Sequence, residues 1–348
     1  MKRICCVAAL VVLFFACGVM TRASAGEREP VRAIYLGPPT ISLDRQSQII
    51  NNLIKGTEVN AVVLDTKVGR EFLDDRHKAV IRRFRENGIF VVCRMVIFQD
   101  SHYAGLHPKL AIKRRDGNFW WSGKKKWKRY WIDPAAEIFW AHNIDIALRS
   151  IEAGCGELNF DYIRFPSDGD MKNMVYPYWS SQVSKYDVLE KFFAKLSDRI
   201  RTHYPDVPIS ADIFGYVHIN GAEEGVGQRL ISMAKYFDII APMLYPSHFG
   251  CGAFGFADPN SHPYTVYRES LIKGSSILTK AGLAKETRPW LQGFSIANIY
   301  GCGKRVEYSP TVFRKQIEAL DAMGIKSWMV WNPRFDYPAG YFESRGRE

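Results

Sequence analysis

Eight apolar runs recur along the 348-residue chain, each closing on a polar or aromatic cluster. They are VRAIYLG (31–37), AVVLDTKV (61–68), IFVVCRMVIF (89–98), ELNFDYIRFP (157–166), PISADIFG (208–215), FDIIAPMLYP (237–246), RPWLQGFS (288–295) and SWMVWNP (327–333). Strands buried on both faces read as continuous Val/Ile/Leu-rich segments, as most of these do. Helical spacing at 76–87, 136–152, 184–203, 264–281 and 310–323 separates them. Strand–helix alternation repeated eight times predicts an α/β fold, a single-domain (β/α)8 TIM barrel. In that architecture chemistry gathers where strands end. Asp65, Arg94, Asp161, Asp212, Tyr245, Gln292 and Asn332 are therefore the first candidates.

Residues 1–25 stand apart from the barrel. Met1-Lys2-Arg3 is a cationic start, Ile4 to Met20 an apolar stretch, and Ala23-Ser24-Ala25 a small–x–small cleavage pattern, which together predict a signal peptide. The expectation is an exported protein, periplasmic or secreted, with no stable membrane span after cleavage. A lipid anchor at Cys17 is a weaker alternative, because Phe14-Phe15-Ala16 precedes it where such sites are rich in leucine. The barrel is expected over 26–337, with a short tail at 338–348. Loss of Lys2, Arg3 and Arg22 takes the net charge from +11 to +8. Residues 109–129 hold nine Lys and Arg against Asp116 alone, an excess of +8, so the rest of the mature chain is neutral.

Of the cysteines beyond the signal, Cys251 and Cys302 fall on loops after strands 6 and 7, and neighbouring rim loops approach each other. They are disulfide candidates in an oxidising compartment. Cys93, inside strand 3, and Cys155, before strand 4, are expected as separate small apolar residues. No Cys/His spacing resembles a zinc site, and no metal or organic cofactor is called for.

Period-2 alternation turns Asn159 and Asp161 of strand 4 toward the barrel axis, and Ser210 and Asp212 of strand 5 likewise. Two carboxylates on adjacent strands at similar height would stand about 5–6 Å apart, the spacing of retaining glycoside hydrolysis. The plainer alternatives are an Asp161–Arg94 or Asp161–Arg164 ion pair closing the rim, and Asp212 capping the turn at Gly215. Arg164 shares the inward side only if the strand bends at its end. Asp65 and Lys67 share a face on strand 2 and are expected to pair with each other or to meet sugar hydroxyls. Tyr35, Tyr245, His248, Trp290, Gln292, Trp331 and Asn332 complete a ring of aromatic and amide groups. Such a ring suits a sugar, whose C–H face stacks while its hydroxyls are hydrogen-bonded.

The segment FQDSHYAGLHPKLAIKRRDGNFWWSGKKKWKRYWIDP after strand 3 is a long insertion. DGN and SGK read as turns, predicting a hairpin across the barrel mouth. Asp133-Pro134 reads as the cap and first turn of the next helix. Its tryptophans interleave with Lys109–Arg129 cations, a pattern also found in single-strand nucleic-acid binders. An exported chain rarely meets nucleic acid, so an anionic envelope polymer as the loop's partner, or simply a solvated loop, fits better.

These segments resemble a bacterial family described as a "putative glycosyl hydrolase domain", a TIM barrel distantly akin to the α-amylase and α-galactosidase groups. The likeness rests on NAVVLDTK, VVCRMVIFQD with HPKLA, WIDPA, ELNFDYIRFPSDG, ISADIFGY, FDIIAPMLYPSHF, RPWLQGF and WMVWNP, spread in order over 31–337. It implies a nucleophile on strand 4, falling on Asp161, and an acid/base on strand 5, falling on Asp212. Val68 departs from the family pattern, in which an acid follows the lysine. The functional expectation is a glycosidase acting on a poly- or oligosaccharide by a two-carboxylate, retaining mechanism. The alternative is a non-catalytic envelope polysaccharide-binding protein on the same scaffold.

Overall fold

The computed structural model describes residues 29–343 apart from 124, 125 and 127. The expected signal segment and the end of the tail therefore lie outside the described residues. Each apolar run yields one barrel strand: β1 (Arg32–Gly37), β2 (Ala61–Val68), β3 (Phe90–Val96), β4 (Glu157–Asp161), β5 (Ile209–Phe214), β6 (Ile239–Met243), β7 (Trp290–Gln292) and β8 (Trp328–Trp331). Every strand pairs in parallel with the next. β1 also pairs with β8, through Ala33↔Met329, and this contact closes the barrel.

Helices fill the intervals: α1 (Leu43–Gln48, continuing as a π-helical turn, Ile49–Ile54), α2 (Asp75–Glu86), α3 (Glu137–Glu152), α4 (Lys185–His203), α5 (Leu230–Tyr236), α6 (Pro263–Lys280) and α7 (Pro310–Asp321). Their starts follow local chemistry. Ser184 caps α4 by accepting from the Asp187 N–H, and Ser309 caps α7 just ahead of Pro310. α4 then buries Leu189, Phe192, Phe193, Leu196 and Ile200 along one stripe. Asp133 departs from expectation. α3 starts at Glu137, and the Asp133 carboxylate instead accepts from the backbone N–H groups of Ala135, Tyr178 and Trp179. It ties the insertion to the β4–α4 loop.

Strand alternation sorts side chains into two cores. Outward residues such as Ile34, Val62, Leu64, Val91, Leu158, Phe160, Ile209 and Ile213 pack under the helices. Inward residues Ala33, Tyr35, Ala61, Val63, Val92, Ala241, Trp290 and Met329 form an apolar half of the barrel interior. The other half is polar. Arg288 pairs with Glu157 at 2.7 Å, Glu157 accepts from Ser210 at 2.7 Å, and Asn159 donates to Ser210 at 3.1 Å. All four are buried, and a buried polar chain is tolerable only when its members satisfy one another.

The insertion is a folded layer. Trp121–Ser122 pairs antiparallel with Arg129–Tyr130, and Lys113–Arg114 pairs with Met174–Val175 of the β4–α4 loop. Trp120 and Trp131 are fully buried, Trp120 donating its indole N–H to the Asp170 carbonyl at 2.9 Å. Both disulfides join neighbouring loops or strands. Cys251 is bonded to Cys302, with Cα atoms 5.7 Å apart. Cys93 is bonded to Cys155, at 5.6 Å, where the sequence reading kept them separate. The parallel register explains the pairing: Val92 faces Glu157, which brings the turn before β4 alongside β3. A cross-link closing a loop of 62 residues contributes about 4 kcal/mol in the chain-entropy picture.

Lys67 and Asp65 do not pair. The ladder between β2 and β3 slips between Asp65 and Lys67, which breaks the alternation that would put them on one face. Lys67 enters the interior, 2.7 Å from Asp100 and 2.7 Å from the Val96 carbonyl, with both charged side chains 1% exposed. Asp100 also caps the short helix Ser101–Leu106 that opens the insertion. Removing one member of a buried pair leaves the other stranded, at a cost of about 3–5 kcal/mol, whereas replacing both by apolar groups is far milder. Urea unfolding should therefore show Lys67→Ala strongly destabilised and Lys67→Met/Asp100→Leu close to wild type. Equal losses in the two would show that the ion pair is not the reason.

Candidate active site

The end of the barrel where the strands terminate carries a cavity of about 250 Å³. Its walls include Arg94, Asp161, Arg164, Asp212, Tyr245 and His248, with Trp290 and Trp331 beside them. Arg94, on β3, is the hub. Its Nη1 lies 2.6 Å from Asp65 Oδ1, and its Nη2 pairs with Asp161 Oδ2. The Tyr35 hydroxyl donates to the other oxygen of Asp65 at 2.5 Å. Burial alone would lower the Arg94 guanidinium, but Asp65 and Asp161 outweigh it and hold it well above its ordinary range. The guanidinium also lies 5.4 Å from the Tyr35 ring and 5.1 Å from Trp331, two rings stacked at 4.1 Å.

Asp161 ends β4. The next residue, Tyr162, has φ 47°, a left-handed backbone that costs a non-glycine residue about 1–2 kcal/mol. That reversal aims the Tyr162 N–H at Asp161 Oδ1, 2.6 Å away, and it is the bend that swings Arg164 round to the cavity. Arg164 makes no ion pair with Asp161; its Nη1 donates to the Phe165 carbonyl at 3.0 Å and to Ser167 at 3.1 Å.

Asp212 is the neighbour. The β4–β5 ladder runs through Ser210↔Asn159 and Ala211↔Phe160, so the next residue on each strand is a carboxylate. Asp212 Oδ1 accepts from Asn159 at 2.9 Å and from the Trp290 indole at 2.7 Å, leaving Oδ2 to carry a proton. Desolvation first, then the charge of Asp161, raises its carboxyl well above the usual range, against the opposing pull of Arg94. The suggested cap is not formed: the helix Gly215–Asn220 begins without a side-chain cap.

Two neutral groups complete the wall. Burial, with Asp212 adding to it, lifts the Tyr245 hydroxyl well above its ordinary value, and burial pushes the His248 imidazole down to about 4. His248 Nδ1 is held by Ser247 Oγ at 2.9 Å.

Other expected contacts sit behind the wall. Tyr35, Asp65 and Asn159 support the charged residues from below. Lys67 is sealed against Asp100. Gln292 is buried, accepting from Ser247 and donating to the Phe294 carbonyl at 3.1 Å. Asn332 donates to the carbonyls of Gly293 at 2.7 Å and Asp336 at 2.6 Å, shaping the loop after β8 and facing a separate cleft. Conversely, Tyr162, Phe214 and Met243 line the cavity although none is among the sequence candidates; alternation puts Phe214 on the face of Asp212 and Met243 on that of Tyr245, and only Tyr162 stands outside it. Tyr162 reaches the cavity because its left-handed backbone leaves the pleat just past β4.

Paired carboxylates at the open end of a closed (β/α)8 barrel define a glycosidase-like fold. Within that class the chain belongs to the family described as "Putative glycosyl hydrolase domain", whose model matches residues 68–337. No curated protein matches it. A hypothetical protein from Ruminiclostridium thermocellum ATCC 27405 is 29% identical over 51% of this chain and 96% of its own, with a TM-score of 0.43. TtGalA, an α-galactosidase from Thermus thermophilus, is 11% identical over 90% of this chain and 60% of its own, with a TM-score of 0.52. The galactosidase domain of the α-galactosidase-sucrose kinase AgaSK is 14% identical, with a TM-score of 0.53 over 90% of this chain and 39% of that one. At such identities the two galactosidases share the barrel fold.

A carboxyl that holds its proton more tightly folded than unfolded contributes its full stability below about pH 4 and loses it as pH rises through the folded-state value. The loss approaches about 1.4 kcal/mol per pH unit between the two values. Asp212→Asn keeps an acceptor for Asn159 and Trp290 and cannot ionise. Its melting temperature should exceed that of wild type at neutral pH, and the gap should shrink as pH falls toward 4. A gap independent of pH would contradict the assignment.

Proposed function

We propose that the chain is an exported retaining glycoside hydrolase acting on a poly- or oligosaccharide. Asp161 attacks the anomeric carbon as the glycosidic C–O bond breaks, and Asp212 gives its proton to the departing oxygen. Water then attacks the glycosyl–Asp161 ester, Asp212 takes the water's proton, and the Asp161 carboxylate is released. One observation carries the reading: two carboxyls on successive strands at one height have opposite settings. Asp161 is paired with a guanidinium, as a nucleophile needs, and Asp212 is desolvated between two neutral donors, as a proton donor needs. Tyr245 and His248 supply uncharged hydrogen-bonding groups, and Trp331 an aromatic surface for a sugar.

Export rests on the leader pattern in 1–25, and two disulfides support an oxidising destination. Among the described residues no helix is long and apolar enough to cross a membrane. An anionic envelope polymer remains our reading of the basic loop, whose Lys109, Arg115, Lys128 and Arg129 are exposed.

A non-catalytic polysaccharide-binding barrel is the second reading. Arg94 and the Tyr162 N–H already engage both oxygens of Asp161, which favours it. Asp161→Asn and Asp212→Asn, assayed on a polysaccharide panel with aryl glycosides included, separate the two. Asp161→Asn should abolish turnover, and Asp212→Asn should cost about 10²–10⁴-fold, least on aryl glycosides whose leaving group needs no proton. An active wild type that survives both changes overturns the mechanism. Saturable binding without turnover establishes the second reading.

A further inference from the structure

The two arginines of the cavity differ in how they are paired. Arg94 is held between two carboxylates, Asp65 and Asp161. Arg164 is 8% exposed and has no carboxylate partner among the described residues. A buried, unpaired cation is costly, and a protein normally neutralises it or uses it.

The surroundings of Arg164 hold its plane in place. Its guanidinium carbon lies 5.5 Å from the Trp131 ring, 5.2 Å from Tyr162 and 5.9 Å from Phe214. Nη1 is committed to the Phe165 carbonyl and to Ser167. Nε is sealed from the cavity with no acceptor, whereas Nη2 has no protein acceptor among the described residues, so Nη2 is the donor left for a ligand. Nη2 offers an anionic oxygen a charge-assisted hydrogen bond.

We infer that Arg164 determines substrate specificity by recognising a carboxylate on the sugar, and that the glycan cleaved here contains uronic acid. The inference rests on the proposed glycosidase reading of the same cavity. The insertion connects the two charge features of the chain. It carries the cations of Lys109–Arg129, and its last strand delivers Trp131 against Arg164. The exposed cations of the insertion, Lys109, Arg115, Lys128 and Arg129, would raise the local concentration of a polyanion, and the cavity holds one cation without a carboxylate partner among the described residues.

Binding tests this without requiring turnover. The Asp212→Asn protein is titrated calorimetrically with galacturonate and glucuronate oligosaccharides, with their carboxyl-reduced neutral counterparts, and with a sugar phosphate. At least one uronate should bind about tenfold or more tightly than its reduced counterpart, in keeping with a charge-assisted contact. Arg164→Gln should erase that ratio, and Arg164→Lys, which keeps the charge, should restore part of it. Should the Arg164 variants not fold, wild type still decides: the preference for the uronate over its reduced counterpart must persist at roughly 1 M salt, where exposed cations are screened and a buried one is not.

Equal binding of acidic and reduced sugars, absence of uronate binding, or a ratio that survives Arg164→Gln overturns the proposal. Preference for the sugar phosphate over every uronate, with the same dependence on Arg164, overturns the carboxylate assignment in favour of a tetrahedral anion. The two readings fail separately. Uronate binding through Arg164 without cleavage by wild type removes the hydrolase and leaves this site. Cleavage of neutral glycans alone does the reverse.

Discussion

The upper barrel depends on a single guanidinium. Arg94 reaches from β3 to a carboxylate on β2 and another on β4, while rings from β1 and β8 lie against it. Five of eight strands thus meet at one side chain. A cation so deep in a barrel would be untenable alone, and each carboxylate beside it would be untenable without the cation. The apolar half of the interior can rely on packing. The polar half has to close as a network.

That closure gives the two acids different chemistry. Asp161 belongs to the ion-paired side. Asp212 stands one strand further, at the top of the chain running from Arg288 through Glu157, Ser210 and Asn159, and is met there only by neutral N–H groups. Neither setting is a property of aspartate. Each follows from which strand's side chains fill the next inward position.

The barrel and the inward turn of Asp161, Asn159 and Asp212 were legible in the sequence, because apolar runs and period-2 alternation act locally and the strands obey them. Reading failed wherever the backbone left the pleat. One slipped residue in β2 sent Lys67 away from Asp65. The left-handed Tyr162 decided where Arg164 went. The partners of Asp133 come from 45 residues downstream, beyond any local rule. Cys93 and Cys155 are neighbours only once β3 and β4 are in register. The interval 43–54 was not among the helical spacings read, although Ile49, Ile50, Leu53 and Ile54 are buried along one side of it.

The lysine sealed beneath the insertion has an implication for how such a chain could be pared down. Lys67 is held by Asp100 at the loop's first turn, and the loop's far end is fastened through Asp133 to the segment after β4. The insertion as a whole, from Asp100 to Asp133, is therefore no detachable ornament. Excising it to obtain a minimal barrel would leave a bare ammonium in the hydrocarbon interior and unfasten the neighbouring segment. Shortening is tolerable only between these two anchors.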